Sequence, residues 1–424
     1  MNFRYFEGMN FGLLSFRIGV FLLPTTFSIS AVFLLISSAI GVKKKESNYF
    51  RDIWNLPLFI VSIFMIIGSI NSRFFHTSFT SYEKWDPNLS LIDLANWIPH
   101  FFIFWSLGIY VSSTKLRRES SFLLLAGSVP ILISGFCQLL TNFHGPFEIF
   151  NGLITWFQRP LKDNQGISAI FSNANYLGCW LTIIWPFSLA FFIREKNKNY
   201  KKIISLILII LIGFSIALTK SRSSWGSLIL SIPLLLGWGS LLWLIPFILI
   251  ISIILIFTIM PINEGINSLL QSLVSNGSWD EYSRELRLKI WLYALNLIST
   301  SPFLGFSAGL FPILYLYNYN NWVSHTHNIF LEIAFNYGII TSIILILFFI
   351  SILYKSQKII EQNNITSSTN KTNIYNRSWW VSSFLILFSQ LFDIQYYEGR
   401  ISVVLWILFA GLKSIISEKE QTNS

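Results

Sequence analysis

The chain has 424 residues, of which 53% are apolar and 12% charged, with a formal net charge of +10 and a mean hydropathy of +0.58. A soluble domain carries about twice that share of charge. The apolar residues come in long runs, which excludes a soluble globular enzyme, a disordered chain and a coiled coil and predicts an all-α polytopic membrane protein.

Apolar runs cover roughly 11–41, 53–70, 91–111, 121–140, 167–193, 203–219, 225–238, 241–260, 328–354, 379–392 and 401–416. Pro24 stands in the middle of the first, which is either one span or two short helices, so the expected count is 11–12 helices in a single integral membrane domain over 1–424. The N-terminus lacks a small-residue cleavage site, and the first run is read as mature structure. Cys137 and Cys179 both lie inside apolar runs, leaving no disulfide framework and no CxxC metal site.

The basic clusters lack the aromatic interleaving of a nucleic-acid surface, so no nucleic-acid partner is expected. They set orientation instead. Lys43–Lys45 with Arg51, Lys115/Arg117/Arg118, Arg194–Lys202 and Lys355–Arg377 place sixteen Lys and Arg on one side if every run crosses. That side is expected to be cytoplasmic. Segment 361–374, rich in Asn, Ser and Thr, reads as a flexible linker there. The opposite side holds 71–90, 141–166, 220–224 and a long loop, 261–327.

A loop of that length is functional or disordered, and its apolar, aromatic second half argues against disorder. Residues 284–298 read as a helix with Arg284 and Arg287 one turn apart and Trp291 a further turn along the same face. It ends at Ser301-Pro302, and Gly305 and Gly309 mark an irregular stretch.

Three groups on that side carry chemistry. Ser324-His325-Thr326-His327-Asn328 stands where the loop meets a span. His327 and Gly338 are eleven apart, three helical turns, and so are expected to share a face. Gly338 would let another helix approach closely, and Glu332, one turn below the surface, is an ionisable group that is by default either functional or partnered. The His pair is compatible with catalysis, with anchoring a helix end, or with a metal, although no third His or Cys is near and carboxylates are sparse. Lys220-Ser221-Arg222-Ser223-Ser224-Trp225 either snorkels to lipid phosphates or forms an anion site, with Ser223 or Ser224 capping the next helix and Arg222 offering a planar fork. Arg284 and Arg287 are either a solvated face or part of the same cation cluster. Phe171-Ser172-Asn173-Ala174-Asn175-Tyr176 ties helices together or binds a sugar hydroxyl. Several cations and one neutral base at one membrane face suit transfer from a lipid-diphosphate donor.

These residues resemble the O-antigen ligase superfamily, the Wzy-C type of glycan ligases and polymerases. His327-Asn328, nine residues, Gly338, two residues and Thr341 match its His-Asn pattern at each fixed position. Arg287-Leu288-Lys289-Ile290-Trp291 and Pro302-Phe303-Leu304-Gly305 resemble its Arg and Pro-Gly elements, and Ser307–Phe311 follows the latter loosely. Asn173-Ala174-Asn175 resembles its Asn-Pro-Asn element with Ala174 in place of Pro, and Thr219–Trp225 its Ser-Arg element. The likeness covers a core of 167–345. A cyanobacterial branch once discussed as bicarbonate transporters shares the Asn-x-Asn and Ser-Arg elements but not the His-Asn pair.

The resemblance implies a GT-C-like glycosyltransferase of the bacterial inner membrane, without metal or cofactor. It would take a polyprenyl-diphosphate-linked glycan and pass it, at the periplasmic face, to a hydroxyl on a lipid-anchored sugar, a glycan or a protein. His327 would be the base, with His325, Asn328, Glu332 and Gly338 supporting it. Arg222 and Arg287 would hold the diphosphate, with Arg284 and Lys220 beside them. The alternatives are a polysaccharide polymerase, which differs only in acceptor, and a small-anion transporter.

Overall fold

In hydrocarbon each backbone N–H and C=O must be paired within its own segment, so a long apolar run becomes a helix. The structure, a computed structural model, follows this rule over the residues it describes: 3–45, 49–74, 85–141, 144–161, 165–194, 199–237, 277–366 and 373–423. Among them, eight helical stretches are long and apolar enough to cross a membrane. The chain is an all-α polytopic membrane protein with one small hairpin among the described residues.

The first apolar run is two helices, α1 (Phe3–Leu22) and α2 (Phe27–Lys44). The turn between them holds Pro24, and the pair closes tightly where Ser30 Oγ donates to Gly19 O at 2.7 Å. α3 (Leu56–Phe74) follows. The next stretch, Leu89–Val111, is irregular around α4 (Ile98–Ser106). α5 (Thr114–Gly127) and α6 (Val129–Leu140) meet at Ser128, next to Pro130. The antiparallel hairpin β1 (Phe147–Ile149) and β2 (Ile154–Trp156) pairs Phe147 with Trp156. Then come α7 (Ala174–Arg194), α8 (Asn199–Leu218) and α9 (Arg222–Leu236). The expected span at 241–260 and residues 261–276 of the long loop lie outside the described residues. The rest is α10 (Gly277–Thr300), α11 (Phe311–Tyr319), α12 (Ile329–Tyr337), α13 (Ile339–Thr366), α14 (Asn373–Ser389) and α15 (Gly399–Asn423).

Burial separates centre from rim. The spans in α15 and α7 are 78% and 72% buried, against 22% for the span in α8. Trp180, Trp379 and Trp406 fill the centre. At one end of the bundle the fully buried Arg117 of α5 is bonded to Asn376 of α14 (3.0 Å) and Glu418 of α15 (2.7 Å), tying three helices together.

Two expectations need correction. The run 328–354 is not one span: α12 ends at Gly338, whose φ is +89°, and α13 begins anew. A Cβ on Gly338 would lie 2.1 Å from Phe303 O, and one on Gly305 would lie 2.6 Å from Phe335 O. The glycines therefore admit the 301–309 loop rather than a neighbouring helix. The linker at 361–374 is also shorter than its composition suggests, because α13 continues through Thr366.

The long loop builds a core of its own. Ile290, Ala294 and Ile298 of α10 pack with Phe306, Phe311, Tyr315 and Phe335. The other face of α10 exposes Leu288, Leu292 and Leu295. The helix therefore both packs on the protein and presents an apolar face outward, as an interfacial helix does.

Candidate active site

Four connections meet at the end of the bundle opposite Arg117: those preceding α7, α9 and α12 and that between α14 and α15. His327 sits just before α12 with φ +56°. The left-handed region costs a non-glycine residue roughly 1–2 kcal/mol, so its neighbours must fix it. Buried Glu332 accepts from Thr326 N at 2.9 Å, and Trp291 Nε1 of α10 donates to Thr326 O at 3.0 Å. Asn328 caps α12, accepting from Phe330 N (3.0 Å) and Leu331 N (3.2 Å), and donates to Leu391 O at 3.2 Å. His327 thus stands outside the helix, at its entrance, and does not share a helical face with Gly338. Asn328, Glu332 and Gly338 act on the path of the chain.

The partner of His327 is Asp393, between α14 and α15. Its Oδ1 lies 2.9 Å from His327 Nδ1, and its Oδ2 accepts from Asn175 Nδ2 at 2.8 Å. Asp393 is 9% exposed and His327 27%. Burial opposes ionisation of Asp393, but the hydrogen bond from His327, the two nearby imidazoles and the Asn175 amide outweigh it and hold the carboxyl below its ordinary value. An ionised Asp393 accepts Nδ1–H and leaves the His327 Nε2 lone pair for a substrate. That tautomer follows from the hydrogen-bond network.

His325 stacks edge-on against His327 at 4.4 Å between ring centroids, and its Nδ1 accepts from His327 N at 3.2 Å. Burial, and then the neighbouring His327 ring, push its pKa down to about 4 against the pull of Asp393, so it is neutral at physiological pH.

The cations converge here. Burial, opposed by the Asp393 carboxylate and reinforced by the Arg222 guanidinium, holds the Arg287 pKa below its ordinary value, so both groups are within electrostatic reach of Arg287. Arg222 opens α9, and Ser221 is the N-cap residue without a side-chain cap bond. The expected cap by Ser223 or Ser224 does not occur. Ser224 Oγ turns back to Ser221 Oγ (3.0 Å) against α7, where a Cβ on Gly178 would lie 2.1 Å from it. The first N–H groups of α9 are left without a side-chain cap beside two guanidinium groups, an arrangement that favours an anion. Lys220 stands one residue earlier, exposed, in a left-handed turn at φ +53°. Arg284 lies on α10 one turn before Arg287, and its side chain is outside what is described.

Sequence reasoning missed Asp393. The signal was a short link between two spans holding Asp393, Glu398 and Arg400, on the same side as the other three groups. Asn175 was noted for its amide but not for its partner. Asp393 also corrects the argument against a metal: ligand atoms of His325, His327 and Asp393 lie within 4.8 Å of one another, enough for an open three-ligand site.

Arg222, Arg287 and His327 all fall in one family-matched stretch. Residues 206–346 match the O-antigen ligase family, Wzy_C. The chain is also similar to the ComP-specific O-oligosaccharyltransferase of Acinetobacter baylyi, 28% identical over 178 residues that cover 39% of this chain and 32% of that protein. It thus matches about a third of that relative's length. By those names, a ligase and an oligosaccharyltransferase are both enzymes that join glycans to acceptors. Asn175 and Asp393 lie outside the ligase stretch, so His327 and its carboxylate partner come from different parts of the chain.

Proposed function

We propose that this chain is an inner-membrane glycosyltransferase that moves a glycan from a polyprenyl-diphosphate donor to an acceptor hydroxyl at the periplasmic face. The observation that carries the reading is the 2.9 Å contact between His327 Nδ1 and Asp393 Oδ1, with Arg287 in electrostatic reach both of that carboxylate and of Arg222. Asp393 holds the Nδ1 proton, and His327 Nε2 takes the proton of the acceptor hydroxyl. The hydroxyl oxygen forms a bond to the anomeric carbon as the bond from that carbon to the diphosphate oxygen breaks. The electron pair leaves with the diphosphate, and Arg222, Arg287 and the α9 N-terminus stabilise the charge that develops. Asp393 stabilises the imidazolium until its proton passes to water.

The acceptor is a lipid-anchored sugar, a growing glycan or a protein. The deciding experiment pairs purified protein in liposomes, given a lipid-linked glycan and candidate acceptors, with the glycan profile of a deletion strain. Loss of polymer from its acceptor means ligase, and single repeat units still attached mean polymerase. Unchanged glycans with impaired anion uptake would replace the reading with a transporter.

A further inference from the structure

A second polar feature stands at the same end of the bundle. A cleft of about 270 Å³ is lined by Arg159, Gln165, Ser172 and Asn173, with Pro160 and Leu161 as an apolar wall. This is just under the ~300 Å³ at the lower end of ligand sites, room for one small polar ring rather than a chain. Its frame is rigid. Gln138 of α6 donates to Arg159 O at 2.6 Å and accepts from Ser168 N (2.9 Å) and Ala169 N (2.8 Å), so both strands of the loop hang on one amide. Arg159, Gln165 and Asn173 are exposed.

The cleft joins the two halves of the active site. On one side Asn173 Oδ1 accepts from Asn175 N at 2.8 Å, and Asn175 in turn holds Asp393. On the other, Ile167 N donates to Leu218 O at 3.1 Å, and a Cβ on Gly166 would lie 1.8 Å from Thr219 O. The cleft wall therefore presses on the turn that carries Lys220 and Arg222.

We infer that this cleft holds the sugar ring next to the diphosphate of the donor, an inference that rests on the function proposed above. Amides, a hydroxyl and a guanidinium supply the donors and acceptors that sugar hydroxyl and acetamido groups pair with, and the Pro160–Leu161 wall suits the apolar face of the ring. A ring seated there has the anion site on one flank and the His327–Asp393 pair on the other, where the anomeric carbon must lie.

The test measures binding by the full chain in nanodiscs of two probes, a bare polyprenyl diphosphate and one carrying a single sugar. The protein is wild type or Arg159→Ala/Gln165→Ala, two exposed side chains whose loss leaves the Gln138 frame intact. The wild type should prefer the sugar-bearing probe by about tenfold, near 1.4 kcal/mol. The double variant should bind the bare probe as before and lose that preference. A preference that survives in the double variant overturns the cleft assignment while the proposed function stands. The same holds if the substitutions change only the KM for acceptor. Failure of the wild type to bind either probe overturns the proposed function, and this inference with it.

Discussion

His327 is either a base or an anchor, and one substitution separates the two. His327→Gln keeps size and some hydrogen bonding but does not accept a proton at neutral pH, so transfer per folded molecule should fall at least roughly 10²-fold with donor binding retained. Wild-type turnover in that variant would end the base assignment. Asp393→Asn should cost about 10²–10⁴-fold, because an amide at that position favours the wrong tautomer. Arg287→Lys should stay impaired, since a point charge does not replace the bidentate fork. His325→Gln should be milder in rate but visible in stability. Its folded pKa of about 4 lies below the ordinary 6.5, so the fold favours the neutral ring. That contribution is present above pH 6.5 and is lost as pH falls towards 4. Between pH 7.5 and pH 5 the wild type should therefore lose more thermal stability than His325→Gln. If transfer survives a strong chelator, the His325–His327–Asp393 cluster works as a base. If chelation abolishes transfer and zinc restores it, the cluster is a metal site. At this scale the sequence displayed the cations and the imidazole, because such groups are rare between apolar runs. It hid Asp393, because nothing along the chain relates a carboxylate to a histidine 66 positions away.

Trp291 connects α10, where spacing placed it in line with Arg287, to the loop before α12. It follows Arg287 by one turn of α10, and its indole N–H holds the peptide before His327. Trp291→Phe keeps the ring and removes the donor. A lost hydrogen bond is worth about 0.5–1.5 kcal/mol, so turnover should drop by up to roughly tenfold with little change in melting. An unchanged rate would show that Glu332 alone fixes the loop. Gly338→Ala should be worse, because it combines a left-handed backbone with a carbonyl where the methyl would go, and a cost of more than about 2 kcal/mol is expected in melting or yield. A division of the first apolar run was legible from Pro24 as one of two possibilities, α10 from the helical reading of 284–298, and α14 from its apolar run. The break at Gly338 was not. An apolar stretch gives the same pattern whether one helix or two cross it, and only the 301–309 loop, packed against the break from outside, decides between them.

Across the molecule, all the site groups lie at one end and the buried Arg117 cluster at the other. The Lys and Arg bias predicts a cytoplasmic Arg117 end. In a Cys137→Ser/Cys179→Ser background, Asn321→Cys should react with an impermeant thiol reagent on intact cells and Lys358→Cys should not. The opposite result would invert the protein and remove periplasmic transfer. The architecture also divides the anion site unequally. Arg287 belongs to the small core built by the long loop, whereas Arg222 and Asp393 belong to the bundle. A diphosphate held between them would act as a staple across the seam, adding RT ln(1 + [L]/Kd) to the stability of the joint and nothing to either side alone. Hydrogen exchange along residues 286–300 should therefore slow when a lipid diphosphate is added, and in Arg222→Ala that slowing should vanish although α10 itself is untouched.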